Sequence, residues 1–67
     1  MKLYETHLRI EAGKEIHAID VTHDGGQTWE NFVSIDAGND PGMVKFNNAV
    51  AFLEDVCGCV EYIPEVA

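Results

Sequence analysis

The sequence predicts a small α+β domain, in which one amphipathic helix packs on one face of a small antiparallel sheet and the elements follow in the order β-β-β-α-β. Three observations predict this fold class. Residues 2–11 alternate between apolar and polar side chains, a glycine-rich turn separates two runs of β-branched and aromatic residues, and residues 41–56 repeat apolar side chains at helical spacing. The 67 residues are predicted to form a single domain, residues 1–67, with a thin core.

The first strand is predicted over residues 2–11, with Tyr4, Thr6, Leu8 and Ile10 on the face that meets the core. Of these, Tyr4, Leu8 and Ile10 are expected to be buried. The short break at residues 12–14 contains a glycine and predicts a hairpin connection to the next strand. The first two strands are therefore expected to pair antiparallel.

The second strand is predicted over residues 15–22, and its apolar side chains fall on both faces. Such a pattern is typical of a central strand covered on both sides, or of a strand with a bulge, here near Ala18. The third strand is predicted over residues 28–36. Its side chains divide between a core face, holding Trp29, Val33 and Ile35, and a solvent face, holding Glu30, Ser34 and Asp36.

Phe32 breaks the alternation of the third strand. Two interpretations remain open for it. An exposed aromatic here is a candidate contact with a partner, whereas an aromatic at the edge can simply cover the sheet.

The turn between the second and third strands carries Thr22, Asp24, Gly26, Thr28 and Trp29 at fixed spacing. Glycines next to an aspartate supply the positive φ angles that a tight reversal needs. The pattern resembles the Asp-box, a short hairpin motif of sialidase-type β-propellers and of several unrelated folds. The resemblance implies a structural role, in which Asp24 holds the amides of the turn and Trp29 covers it. It implies no sialidase, because a propeller needs several blades and this chain has room for about one.

The helix is predicted over residues 41–56, with Asp40 as the N-cap and Pro41 at the first helical position. Gly58 is expected to end it in a left-handed conformation. A last short strand, residues 59–63, is expected to run parallel to the first and third strands, and a right-handed crossover could place it beside either. The position beside the first strand is favoured, which gives the spatial order 4-1-2-3. The apolar stripe that should meet the sheet consists of Met43, Phe46, Ala49, Val50, Leu53 and Val56.

No set of residues has the spacing of a catalytic or metal site. Three histidines (His7, His17, His23) and two cysteines (Cys57, Cys59) would suffice in number for zinc, but no Cys-x-x-Cys or His-x-x-x-His spacing occurs. Cys57 and Cys59 are too close for an ordinary disulfide and are expected to be thiols. The single serine, Ser34, lacks the context of a nucleophile. We therefore expect no catalytic residue, no metal and no cofactor.

The net charge of −8 is the strongest functional signal. Direct binding to nucleic acid or to an anionic membrane is disfavoured, because both repel this charge. The charge either keeps a small monomer soluble or meets a protein with a basic groove. Phe32 and Tyr62 are candidate aromatic anchors for that partner. The acidic side chains expected to form the contact surface are Glu5, Glu11, Glu15, Glu30, Asp36, Glu54, Asp55 and Glu61.

The small size, the strong acidity, the absence of a catalytic motif and the sheet-plus-helix pattern together resemble the small phage-encoded anti-CRISPR inhibitors, some of which mimic DNA. The resemblance rests on no sequence motif, so it transfers no functional residue. It implies an inhibitor that blocks DNA recognition by a type I CRISPR surveillance complex in the cytoplasm of the host cell. The alternative is a small protein-interaction module or assembly subunit, whose acidity serves solubility.

Overall fold

The computed structural model describes residues 2–63 and confirms the α+β fold class. Four strands form one mixed sheet, and a single helix packs on one of its faces. The sheet order is β3-β2-β1-β4, and β4 runs parallel to β1, so the predicted spatial order 4-1-2-3 is confirmed. The elements are β1 (Leu3–Glu11), β2 (Lys14–Thr22), β3 (Glu30–Asp36), α1 (Asp40–Asp55) and β4 (Val60–Glu61).

The hairpin of β1 and β2 is regular along its whole length. The pairing runs without a shift from Leu3 opposite Thr22 to Glu11 opposite Lys14. Its two-residue turn places Ala12 at φ 51° and Gly13 at φ 76°. Both angles are positive, as the favoured two-residue hairpin turn requires, and glycine adopts them far more easily than alanine does.

The two faces of the sheet differ in what covers them. The helix face carries the buried side chains Tyr4, Ile19 and Val21, which pack with the helix. The opposite face, which we call the open face, has no helix over it within residues 2–63. Because side chains alternate along a strand, the paired positions place these polar or small residues on the open face: Glu5, His7, Arg9, Glu11, Lys14, Ala18, Asp20, Asn31, Ser34 and Asp36.

A β-bulge interrupts the pairing of β2 with β3. Val33 pairs with Ile19 and Asn31 pairs with Asp20, so Phe32 is an extra residue without a partner on β2. The bulge lies one residue beyond the position expected from the sequence, Ala18, and the extra residue belongs to the neighbouring strand.

The bulge reverses the faces of the residues that precede it in β3. Glu30 pairs with Val21, which belongs to the helix face. The prediction that Glu30 shares a solvent face with Ser34 and Asp36 is therefore wrong, because one inserted residue shifts the alternation. The predicted start of the strand is also wrong, since β3 begins at Glu30 and Trp29 lies in the preceding turn segment.

The helix starts one residue earlier than predicted, and its N-cap is Asn39 instead of Asp40. The Asn39 side chain accepts a 2.8 Å hydrogen bond from the amide of Gly42, which satisfies a donor that the first helical turn leaves free. Asp40 then lies in the first turn, where its negative charge is favourable. The left-handed Gly58, at φ 70°, follows the end of the helix as expected.

The core lies between the helix and the part of the sheet that carries Tyr4, Ile19 and Val21. Its buried members are Tyr4, Ile19, Val21, Leu53 and Cys59. Fewer helix side chains reach the core than the predicted apolar stripe contains. Phe46, Ala49 and Val50 are partly buried against the core, whereas Met43 and Val56 at the two ends are exposed.

The helix does not cover the part of β1 next to the β1–β2 turn, contrary to prediction. Leu8 and Ile10 lie on the helix face but are 61% and 65% exposed. The helix packs against β3 and places Phe46 edge-on against His17 of β2 at 5.2 Å between ring centroids. A helix about 10 Å wide cannot cover four strands spaced about 4.8 Å apart. The free part of β1 therefore keeps its apolar side chains in solvent.

The last strand is shorter than predicted, with only Val60 and Glu61 in the sheet instead of residues 59–63. The amide of Tyr62 nevertheless donates a 2.8 Å hydrogen bond to the carbonyl of Tyr4, which continues the contact with β1. In the part of the chain that the structure describes, no helix has the length and apolar character needed to cross a membrane.

Candidate partner-binding site

The centre of the open face is a network of polar side chains on three strands. His7 Nε2 lies 3.1 Å from Asp20 Oδ2 and 3.5 Å from Glu5 Oε1. The Asn31 amide donates to Asp20 Oδ1 at 3.2 Å and to Ser34 Oγ at 3.3 Å. Asp20 and Glu5 are directly opposite in the pairing, so the His7 imidazole contacts two adjacent carboxylates.

This network does not assemble a nucleophile with a base. The hydrogen bond of Ser34 Oγ is made with Asn31, while His7 interacts with the two carboxylates. A serine nucleophile needs the base within hydrogen-bond reach of its own oxygen. Among residues 2–63 there is also no group of three or more histidine, cysteine or acidic side chains placed to hold a metal ion.

The part of the open face next to the β1–β2 turn carries charges of both signs. Arg9 Nε forms an ion pair with Glu11 Oε1 at 3.0 Å, and Lys14 lies directly opposite Glu11. Asp36 is on the same face, two strands from Arg9. Arg9 and Lys14 therefore interrupt the acidic side chains of the open face, and Glu5, Glu11 and Asp36 do not form an unbroken acidic surface there.

The helix face ends in a group of carboxylates organised by Tyr4. The ring of Tyr4 is buried, with 1% of the residue exposed, and its hydroxyl reaches the surface between two exposed glutamates. Glu54 Oε2 lies 2.7 Å and Glu61 Oε2 3.2 Å from the hydroxyl oxygen. Burial, followed by the hydrogen bond to Glu54 and the nearby negative charge, raises the pKa of Tyr4 well above its usual value.

Two further acids extend this group. Asp55 follows Glu54 at the end of the helix. Glu30 occupies the same row of the sheet, since it pairs with Val21, and Val21 pairs with Tyr4. Two strand spacings put Glu30 about 10 Å from Tyr4. We call these four side chains the acidic end: Glu30, Glu54, Asp55 and Glu61.

The acidic end differs from the open face in its counter-charges. Within residues 2–63, the ion pair between side chains of fixed charge, Arg9 with Glu11, lies on the open face, where the His7 imidazole also contacts Glu5 and Asp20. At the acidic end, by contrast, the fixed partner of Glu54 and Glu61 is the neutral hydroxyl of Tyr4. Their negative charge is therefore held in place without being neutralised.

The two candidate aromatic anchors each pack on another aromatic side chain. Tyr62 is 41% exposed and lies against Trp29, with 5.7 Å between ring centroids. Phe32 is 42% exposed and stacks on Phe52 at 6.3 Å. The bulge turns Phe32 toward the helix, so it covers the sheet and is also accessible to a partner. Tyr62 follows Glu61 in the chain and therefore lies next to the acidic end.

The turn before β3 is held by Asp24. One carboxylate oxygen accepts from the Thr28 amide at 2.9 Å and from the Thr22 hydroxyl at 2.7 Å, and the other accepts from the Thr28 hydroxyl at 2.6 Å. Led by the Thr28 hydroxyl, these bonds hold the pKa of Asp24 well below its usual range. Trp29 covers the turn and donates its indole N–H to the Gly26 carbonyl at 3.1 Å. These side chains do structural work, as the Asp-box resemblance implies.

A polar depression lies between β3 and the first turn of the helix. Its volume is about 360 Å³, and its lining includes Ser34, Asp36, Asn39 and Lys45. The volume is at the lower end of the range for small-molecule sites, about 300–1,000 Å³, but such sites are predominantly apolar.

The eight acidic residues proposed from the sequence thus divide among three places. Glu5, Glu11 and Asp36 are on the open face, four form the acidic end, and Glu15 is on the helix face of β2 opposite Ile10. Sequence reasoning missed Tyr4 as the residue that organises Glu54 and Glu61. The alternation in β1 marks Tyr4 as buried, but no local signal links it to residues 50 and 57 positions away.

Comparison with known proteins adds no relative: no family model, no curated protein and no solved structure matches the chain. The class is therefore defined by the molecule itself. It is a small α+β domain with one open, mixed-charge sheet face and one acidic end.

Proposed function

We propose that this protein is a non-enzymatic inhibitor that binds the basic groove of a nucleic-acid-binding effector and blocks recognition of target DNA. The acidic end is the surface that enters the groove. The observation that carries the proposal is the position of Glu54 and Glu61, two exposed carboxylates held at 2.7 and 3.2 Å from one hydroxyl. Neighbouring negative charges at fixed positions are what a lysine- and arginine-lined groove recognises in a phosphate backbone.

Fixed carboxylates contribute more to binding than mobile ones. Ordering a flexible side chain at an interface costs about 0.5–1.5 kcal/mol. Glu54 and Glu61 bear part of this cost during folding, through the Tyr4 hydroxyl. Tyr62, exposed beside Glu61 and packed on Trp29, supplies an aromatic surface of the kind that anchors interfaces.

Among effectors with such a groove, a type I CRISPR surveillance complex best fits the size and charge of the chain. This choice rests on the resemblance to anti-CRISPR inhibitors and not on a motif. Acting on that target would place the protein in the cytoplasm of a phage-infected host cell. The net charge of −8 supports fast, electrostatically steered association with a basic complex.

Binding of target DNA by the purified effector, measured against increasing concentrations of the full chain, tests the proposal. DNA binding should be lost at saturating inhibitor, and inhibition should weaken as salt is raised. The double variant Glu54→Gln/Glu61→Gln should inhibit about tenfold less well or worse, a change of about 1.4 kcal/mol. Glutamine still accepts a hydrogen bond from Tyr4, so the fold is retained.

The matched control is Glu11→Gln/Glu15→Gln, which removes the same charge at the opposite end of the sheet. It should inhibit nearly as well as the unaltered chain. Equal losses in the two double variants would mean that net charge acts alone and that the acidic end is not the contact surface. Unchanged DNA binding at saturating protein would overturn the proposal of a DNA-competing inhibitor.

The second candidate is a protein-interaction module or assembly subunit, in which acidity serves solubility. The mixed charges of the open face favour it, because Arg9 with Glu11 and His7 with Asp20 make a patterned polar surface suited to an ordinary protein partner. Binding through that face would respond to Arg9→Ala and Asn31→Ala, and would be indifferent to Glu54→Gln/Glu61→Gln.

A further inference from the structure

Among residues 2–63, the outer edge of β1 is unpaired over most of its length. In that part of the chain, β4 pairs with it only at Leu3 and Tyr4. The carbonyls of Lys2 and Tyr4 point outward to β4, since they accept from the amides of Val60 and Tyr62. The backbone groups of a strand alternate in direction, so those of Thr6, Leu8 and Ile10 also point outward, and no strand that the structure describes lies beside them.

This edge has the charged side chains Glu5, Arg9 and Glu11 on the open face but none of the backbone features that protect many edge strands. Natural edges are blunted by bulges, prolines, inward charges or covering loops. The other edge of the sheet, β3, has the bulge at Phe32. β1, in contrast, pairs with β2 without any shift, and it exposes Leu8 and Ile10 at 61% and 65% on the helix face.

We propose that β1 pairs with β1 of a second copy of this chain, antiparallel and with Leu8 opposite Ile10 of the other copy. The two sheets then continue into one. Each Leu8–Ile10 pair exchanges two backbone hydrogen bonds, because the backbone groups of both residues point outward. The four apolar side chains of the two strands form one patch on the helix face.

Apolar pairing selects this register from its neighbours. The register centred on Ile10 would set Arg9 opposite Glu11, but it would set Leu8 against Ala12 of the hairpin turn and so lose both Leu8–Ile10 pairs. In the proposed register Arg9 lies opposite Arg9, a pair of like charges that each arginine's own Glu11, at 3.0 Å, offsets. The register in which Leu8 faces Leu8 is less favourable. It sets the like charges of Glu5 and Glu11 against each other, and it places His7 opposite Arg9. The next register would need Tyr4, whose outer carbonyl already bonds to Tyr62.

The dimer proposed here differs from the monomer that net charge alone predicts. Two copies at −8 each repel, and salt screens that repulsion. Self-association should therefore strengthen as salt is raised. Competition with DNA through the acidic end should weaken under the same change, so the two proposals respond to salt with opposite signs.

Sedimentation equilibrium of the full chain, at protein concentrations up to the millimolar range and at low and high salt, tests the proposal. We expect a monomer–dimer equilibrium that shifts to dimer at high salt. Ile10→Lys should raise the dimer dissociation constant about tenfold or more, because it puts a charge in the apolar patch. The exposed position of Ile10 leaves the fold intact, which circular dichroism verifies.

The control Val44→Lys makes the same change in charge at an exposed apolar position on the helix, 58% exposed. It should leave the dissociation constant within about twofold. Glu54→Gln/Glu61→Gln should not weaken the dimer either. A chain that stays monomeric throughout, or a dimer that Val44→Lys disrupts and Ile10→Lys does not, would overturn the proposal.

A disulfide test fixes the register. In a background of Cys57→Ser and Cys59→Ala, Arg9→Cys places two cysteines face to face across the two-fold axis. Directly opposite residues that do not share hydrogen bonds have Cα atoms about 4.5 Å apart, within the range of about 4.4–6.8 Å that a disulfide spans. Arg9→Cys should oxidise to a covalent dimer faster than Glu11→Cys. Equal or reversed rates would rule out this register.

Discussion

The hydroxyl of Tyr4 donates a 2.7 Å hydrogen bond to Glu54, a residue 50 positions further along the chain. The contact joins the first strand to the end of the helix, and Glu61 of the last strand approaches the same hydroxyl. One buried ring thus ties together three elements that are far apart in sequence, and it leaves two carboxylates at the surface.

Tyr4→Phe should reduce stability at neutral pH and change how stability depends on alkaline pH. The lost hydrogen bond costs about 1 kcal/mol. The pKa of Tyr4 is raised in the folded state, so above the unfolded value of about 10 the unfolded chain releases a proton that the folded chain retains. Stability is therefore complete below pH about 10 and falls as pH rises above it. Urea unfolding between pH 7 and 11 should show a smaller alkaline loss in Tyr4→Phe than in the unaltered chain. An identical loss in both would contradict this assignment.

Ala12→Asn should stabilise the protein. Ala12 adopts φ 51° in the hairpin turn, a left-handed conformation that costs an ordinary residue about 1–2 kcal/mol and that asparagine tolerates better. We expect a gain of about 0.5–1 kcal/mol in the free energy of unfolding. The control is Gly13→Ala, which should destabilise the chain because Gly13 also has a positive φ, 76°. A neutral or negative effect of Ala12→Asn would show that the turn is not held as described.

Gly42→Ala should destabilise the protein, although alanine normally favours a helix. A Cβ at Gly42 would lie 2.8 Å from the Cα of Ala37 and nearer still to the carbonyl oxygen of Asp36. The clash with backbone outweighs the helical preference of about 1 kcal/mol, and a net loss of about 1–3 kcal/mol is expected. Gly38→Ala is the matched variant, since its Cβ would meet only ordinary contacts, the nearest at 3.7 Å. Thermal unfolding of the two variants should separate them clearly.

Asp24→Asn should loosen the turn at neutral pH and lose its effect in acid. The pKa of Asp24 is lowered by its hydrogen bonds, chiefly that from the Thr28 hydroxyl. A lowered pKa stabilises the fold above the unfolded value of about 4, and the contribution is lost as pH falls through the folded value. The difference in melting temperature between Asp24→Asn and the unaltered chain should be largest near pH 7 and shrink toward pH 2. A constant difference across that range would assign the effect to shape instead of charge.

The same variant separates fold from function. Asp24 is committed to three hydrogen bonds within the turn, so it is not counted among the acidic contacts. If Asp24→Asn abolished inhibition while melting normally, the turn would belong to the binding surface.

Sequence alternation was sufficient to predict the fold class. The parallel direction of the last strand followed from the number of chain reversals, whereas the crossover rule allowed either the first or the third strand as its neighbour. Alternation failed where the outcome depends on how far one element reaches. Leu8 and Ile10 have the pattern of a buried strand, yet the helix is too narrow to cover them, and periodicity carries no information on the position of the helix across the sheet.

The sequence named the acidic residues of the candidate site but did not predict how they are arranged in space. The acids at the end of the helix and in the last strand could be named, whereas their meeting at Tyr4 depends on contacts between residues 50 and 57 positions apart. Likewise, the polar network of the open face depends on the pairing of Glu5 with Asp20 around His7. A one-residue error in register would have separated them.

The bulge at Phe32 determines what a one-residue deletion in β3 would change. Because Phe32 has no partner on β2, its deletion would leave Asn31 opposite Asp20 and Glu30 opposite Val21. The strand would lose its bulge and the aromatic ring that stacks on Phe52, while each acidic side chain of β3 would keep its face. A deletion at this position would therefore make the sheet edge regular without moving a charge, whereas a deletion at any paired position of the strand would shift the alternation.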